Sequence, residues 1–162
     1  MLHPSSVFKL DMPPTLQATI LRDREVVRLT LTTFPTEKIE TSRVILFCGA
    51  VIQQPYLAVR QSVGTLHSDV YVAACLPGSP FTRYEGKTGA FITHINGMST
   101  PTLDSFLNEV NKIEDNTYFR LTCMNTQNIQ FVKTLKRDEH YFPLIEYLRD
   151  HDERSGWKIM KV

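Results

Sequence analysis

Arg43-Val44-Ile45-Leu46-Phe47-Cys48-Gly49-Ala50-Val51-Ile52 is the stretch on which the reading of this chain turns. The apolar run from Val44 to Ile52 is the longest in the sequence and is interrupted by Gly49. Its β-branched and aromatic side chains suit a pleated strand. A glycine inside such a pattern marks a bulge or a close approach by another backbone. An aromatic, a small residue, a glycine and a second small residue lead straight into Val51-Ile52. Such a loop can aim the N–H groups of Cys48, Gly49 and Ala50 at an anion, for instance a terminal carboxylate. Glycine removes the Cβ that would block the approach. Val51 and Ile52 can then pair with an extended peptide as an added strand. The same run also fits a plain buried strand.

Working outward, residues 55–66 begin with proline and carry Leu57, Ala58, Val59, Val63 and Leu66, which predicts a short helix. Val70–Ala74 and Ala90–Ile95 read as strands. Pro77-Gly78-Ser79-Pro80 reads as a turn, and Asn96-Gly97 is the strongest turn dipeptide in the chain. Thr102 is an N-cap candidate, with Asp104 in the first turn. Leu103, Phe106, Leu107 and Val110 then fall on one helix face. That helix can form the second wall of a groove, with Phe47, Leu103, Phe106, Leu107 and Val110 lining an apolar pocket, or its face can simply be core. Tyr118–Met124 and Ile129–Leu135 form a strand pair. A short helix is expected after Pro143, and Trp157 is expected to dock on its own domain. On the N-terminal side, Leu16, Ala18 and Ile20 alternate with polar neighbours, as do Val27, Leu29 and Leu31, predicting a β-hairpin that Phe34-Pro35-Thr36 ends. Its strand–turn–strand pattern faintly echoes residues 118–135. Many short strands with helices at the margins indicate an α+β fold.

The 162 residues are 42% hydrophobic and 22% charged, with a formal net charge of +1, which is ordinary globular composition without a basic field for nucleic acid. No apolar run reaches the roughly 18 residues of a membrane span. The first residues, Met1-Leu2-His3-Pro4-Ser5-Ser6, do not read as a secretory signal. Cys48, Cys75 and Cys123 are odd in number and far apart, which fits buried thiols in a reducing compartment better than a disulfide framework or a metal site.

No catalytic constellation emerges. Two residues before Ser79 stands Pro77, which has no N–H, so a chymotrypsin-like oxyanion hole cannot form around Ser79 in the usual way. His3, His67, His94, His140 and His151 are scattered without metal-ligand spacing, and Gly86-Lys87-Thr88-Gly89 lacks the upstream glycine of a phosphate loop. No cofactor or metal is expected.

From Arg43 to Leu135 the chain resembles a PDZ domain of the HtrA type. Phe47-Cys48-Gly49-Ala50 stands where that family carries its carboxylate-binding loop. Val70-Tyr71-Val72 with Leu76-Pro77-Gly78-Ser79-Pro80, Ile92-Thr93-His94-Ile95-Asn96-Gly97 and Leu103-Asp104-Ser105-Phe106 resemble its strand-and-turn, its hairpin and the start of its groove helix. Residues 16–27, 116–121 and 140–143 extend the resemblance to the C-terminal PDZ-like region of the fungal nuclear HtrA-like, pro-apoptotic serine proteases. The resemblance implies a PDZ-like, partly open β-barrel or sandwich with one main groove helix, a short second helix and an N-terminal β-hairpin. It implies four parts: residues 1–35 as the closing hairpin of a preceding PDZ-like domain, 36–42 as linker, 43–137 as the PDZ-like domain and 138–162 as an extension. It also implies a non-catalytic module binding C-terminal or extended peptides through Phe47, Cys48, Gly49, Ala50, Val51, Ile52, Leu103, Phe106, Leu107 and Val110. Arg43 or Arg60 would either add positive charge there or be solvated surface. The peptidase activity belongs to longer family members, because no family catalytic motif occurs in this sequence.

Two departures favour an alternative. Residues 84–90 lack the aspartate usual before the Asn-Gly hairpin, and Cys48 and Ala50 replace bulkier aliphatics. The alternative is a degenerate PDZ domain that docks onto neighbouring protease-like or PDZ-like domains and binds no free peptide. Because a lone two-stranded hairpin is marginal, residues 15–33 are expected to cover the domain or to pair with a second chain as a homo-oligomer. No nucleic-acid or membrane partner is expected. The expected location is nuclear or cytoplasmic, the nucleus by resemblance alone.

Overall fold

A computed structural model describes residues 15–33 and 40–161. They fall in two compact units, one ending before residue 40 and one starting at Glu40. The first is a hairpin of β1 (Thr15–Arg22) and β2 (Glu25–Thr32), antiparallel with Leu16 opposite Leu31 and Ile20 opposite Val27. Asp23 and Arg24, at φ 53° and 68°, make the turn. Positive φ at both central residues matches the right-handed twist of the flanking strands. Leu16, Ala18, Ile20, Val27 and Leu29 are the less exposed residues of an otherwise exposed ribbon.

The second unit is α+β, built on one open antiparallel sheet. Its elements are β3 (Arg43–Phe47), β4 (Ala50–Gln53), α1 (Leu57–Ser62), β5 (Tyr71–Cys75), α2 (Pro80–Arg83), β6 (Phe91–Ile95), β7 (Met98–Ser99), α3 (Leu103–Val110), β8 (Tyr118–Met124), β9 (Gln130–Lys136), β10 (Ile145–Arg149) and β11 (Trp157–Lys161). The strand order is β11-β10-β3-β4-β5-β6-β8-β9, with the short β7 also on β6. The sheet does not close into a barrel: β11 and β9 are its edges. Among the described residues no helix is long and apolar enough to cross a membrane.

Helix α3 forms as its sequence dictates. The Thr102 hydroxyl accepts from the Ser105 N–H, and the Ser105 hydroxyl accepts from the Thr102 N–H, a reciprocal cap on two orphan donors. Its apolar face, Leu103, Phe106, Leu107 and Val110, is buried to the last residue. The core gathers Ile45, Phe47, Ile52, Val72, Ile92, Ile95, Phe119, Leu121 and Leu135 from the sheet around that face.

Three local expectations change. The run Val44–Ile52 is two strands joined by a two-residue turn at Cys48-Gly49, so Gly49 marks a reversal. The helix expected after Pro143 is the strand β10, paired with β3 from Ile145↔Leu46 to Leu148↔Arg43. Tertiary pairing overrides local preference there, and Leu144 is buried beside it. A further single-turn helix, α2, stands where a plain turn was expected: Pro80 opens it and the Ser79 hydroxyl caps the Thr82 N–H. Trp157 is half-buried, with the Arg149 guanidinium 5.6 Å from its ring centroid.

Candidate functional site

The loop at Phe47–Ala50 is buried throughout, with Cys48 and Ala50 fully inaccessible. Cys48 and Gly49 both take positive φ, 49° and 80°. Their carbonyls are spoken for: Cys48 O accepts from Phe81 N at 3.0 Å and Gly49 O from Leu76 N at 2.7 Å. A Cβ on Gly49 would lie 2.1 Å from Ser79 Cβ and 3.2 Å from the Phe142 ring. The glycine therefore serves a close approach by the chain's own 78–80 turn and 138–142 crossover. Burial pushes the Cys48 thiol up to about 12, with the Asp138 backbone N–H and Arg137 pulling weakly the other way.

The expected groove lies between β4 and α3. Strand β4 has neighbours on both edges. Val51 faces Leu46 of β3 on one side and Ala74 of β5 on the other; Ile52 faces Ile45 and Val72. The strand pairing expected for a peptide at Val51 and Ile52 thus has no vacant edge. The second neighbour, β3, runs antiparallel to β4 and ends at the loop. It also follows α3. Arg43 Nη1 lies 2.6 Å from Asp104 Oδ1, and the Phe47 ring meets Phe106 edge-on at 5.9 Å and Phe119 at 5.3 Å. The sequence-derived pocket residues Phe47, Phe106, Leu103, Leu107 and Val110 do come together, but as closed core.

Neither candidate cation is free. Arg43 bridges Asp104 and the buried Glu146 of β10. Arg60 donates to Asp69 at 2.8 Å and to the Pro55 carbonyl at 2.7 Å. Ser79 is fully buried, its hydroxyl engaged with Thr82. His67 bonds Asn128 and His94 bonds Thr93, neither of them a carboxylate.

One further surface has almost no signal in the sequence. A cleft of about 550 Å³ opens between the 78–84 segment and residues 136–142, reached also by Asp115 and Asn116. In sequence its only signal is the short basic pair Lys136-Arg137, because its walls are about 50 residues apart along the chain.

Residues 38–116 match the PDZ-like domain family. The chain is 49% identical over 146 residues to the pro-apoptotic serine protease nma111 of Aspergillus niger, covering 90% of this chain and 14% of that protein. It is 47% identical over 156 residues to the protein of the same name from Aspergillus fumigatus, covering 96% and 15%. With that of Phaeosphaeria nodorum it shares 48% over 143 residues, covering 88% and 14%. The chain therefore spans about one-seventh of the length of these curated relatives.

Proposed function

We propose that this chain, which carries a PDZ-like domain over residues 38–116, is a non-catalytic protein-docking module whose own strand β3 sits in the place of a peptide ligand. The observation that carries the reading is the double pairing of β4, by β3 and by β5. An incoming peptide would have to displace β3, tethered to β4 by a two-residue turn, and withdraw Phe47 from the core. Withdrawing a buried phenylalanine alone costs about 3–5 kcal/mol. A micromolar contact supplies about 8 kcal/mol in total. Docking through an outer surface avoids that cost, so the degenerate-PDZ reading is favoured over capture of a free peptide in the groove.

The non-catalytic part is supported by the commitment of the Ser79 hydroxyl to Thr82 and by Pro77, which has no N–H for an oxyanion. The relatives are named serine proteases, so the docking partners we assign are neighbouring protease-like or PDZ-like domains of such a protein. For the hairpin β1–β2, exposed Leu21, Val26 and Leu31 suit contact with such a domain or with a second copy. The free thiols Cys48, Cys75 and Cys123 suit a reducing nuclear or cytoplasmic setting.

The test is fluorescence polarisation with peptides bearing free C-termini, each beside its amide. No carboxylate-dependent binding is expected. Micromolar binding that vanishes on amidation overturns the closed groove. Sedimentation with the part of the Aspergillus niger relative that this chain does not match should show a complex, and its absence overturns the docking role.

A further inference from the structure

We infer that the cleft between the 78–84 segment and residues 136–142 is a docking site for an acidic peptide segment of a partner protein. The argument is one of uncompensated charge. Arg83, exposed on α2, and Lys136, at the end of β9, both line the cleft. Among the described residues neither has a carboxylate within ion-pair distance. Lys136 is held only by the Tyr118 ring, its ammonium 5.7 Å from the centroid.

The other charges of the cleft are already engaged. Arg137 pairs with Glu139 at 2.7 Å and donates to the Val110 and Ile113 carbonyls at the end of α3. Asp115 accepts the Glu139 N–H at 2.8 Å, and Asp138 accepts the Tyr141 N–H at 3.0 Å. Arg83 is thus exposed and Lys136 half-buried, both without a carboxylate partner among the described residues, while each carboxylate has a backbone donor. Beside them stands an aromatic pair, His140 and Tyr141, edge to face at 4.5 Å, with Tyr141 74% exposed. Exposed tyrosine next to arginine is the composition that protein-recognition surfaces favour.

The same charges choose between anions. A compact phosphate would sit within the field of both Asp115 and Asp138. An extended acidic peptide can set its carboxylates on Arg83 and Lys136 and lay its chain across the aromatic pair. The cleft is concave and open, and it needs no displacement of β3.

This inference rests on the docking reading for its biological setting, but its test is separate. The probe is a fluorescein-labelled, C-terminally amidated nine-residue peptide alternating Glu and Tyr, with a counterpart carrying Lys for Glu, titrated with the 162-residue chain. The Glu peptide should bind and weaken with added salt; the Lys peptide should not bind. Arg83→Ala and Lys136→Ala should each weaken binding by about fivefold, as exposed ion pairs do. Tyr141→Ala should weaken it as well, and Lys158→Ala, on the far edge strand, should leave it unchanged. Circular dichroism melts of each variant check that the fold is kept. Absence of binding up to millimolar protein, equal binding of the Lys peptide, or indifference to both Arg83→Ala and Lys136→Ala overturns the inference. Because the probe is amidated, these outcomes are independent of any carboxylate capture at Phe47–Ala50.

Discussion

Phe47→Ala tests the claim that β3 is wedged into the domain as its own ligand. The Phe47 ring is 1% exposed and packs against Phe106 and Phe119 at centroid distances of 5.9 and 5.3 Å. Truncating a buried phenylalanine costs about 3–5 kcal/mol through lost transfer energy and the cavity left behind. Loss of the two ring contacts, worth about 0.5–1.5 kcal/mol each, places the effect in the upper half of that range. With a urea slope of about 2 kcal/mol/M for a domain of this size, the midpoint should fall by about 2 M. Urea titration followed by circular dichroism, with Trp157 fluorescence as a second probe on the far side of β10, reads the change. The truncation should leave a dry apolar cavity that binds benzene and recovers part of the lost midpoint. A loss below about 1 kcal/mol at unchanged slope would refute the reasoning, because it would mean that Phe47 is not packed and that the edge of β4 can open.

Three further outcomes follow from the same geometry. Gly49→Ala should destabilise by about 1–2 kcal/mol for a side chain at positive φ and a further ~1–3 kcal/mol for crowding against Ser79, read by the same titration; a neutral result would deny the close approach. Arg43→Ala leaves the Glu146 carboxylate buried without its partner and should cost about 3 kcal/mol, whereas Asp104→Ala removes an exposed partner and should cost less than ~1 kcal/mol; equal costs would refute the assignment. Burial raises the Cys48 and Cys123 thiols from 9.0 to about 12, so the folded chain keeps protons that the unfolded chain releases. Their contribution is intact below pH 9.0 and is lost as pH rises toward 12, at about 1.4 kcal/mol per unit for each thiol; a urea midpoint that stays flat from pH 8 to 10.5 would contradict it.

The legible parts of the fold were those set by local periodicity and local chemistry. The i, i+3, i+4, i+7 spacing from Leu103 placed α3 and its buried face, and Thr102 capped it as expected. Alternation placed β1 with β2, and β8 with β9, close to their observed bounds. Gly49 within the Phe47–Ala50 loop points in sequence to a bulge or a close approach, and the structure sets side chains of this chain against it. Ser79 and Phe142 cover Gly49, and no local pattern announces either. The 136–142 wall of the cleft is illegible for the same reason: Lys136, His140 and Tyr141 are about 50 residues from Arg83 and Tyr84 in the chain, and only the tertiary structure brings them together.

By itself the sequence determined most of the strands, the helix α3 and its apolar face, and the likeness to an HtrA-type PDZ domain, but neither the strand β10 nor the helix α2. The elements and faces depend on the side-chain period within one element, and the likeness on motifs such as Phe47–Ala50 and Ile92–Gly97. The tertiary structure alone decided that β4 has no vacant edge, because a strand's period of two specifies its faces and not its neighbours. The partner that closes the outer edge of β3 is β10, linked to it by the Arg43–Glu146 pair across 103 residues of chain. Leu144 lies in the core just before β10 and Phe142 stands over Gly49, contacts that no local pattern specifies.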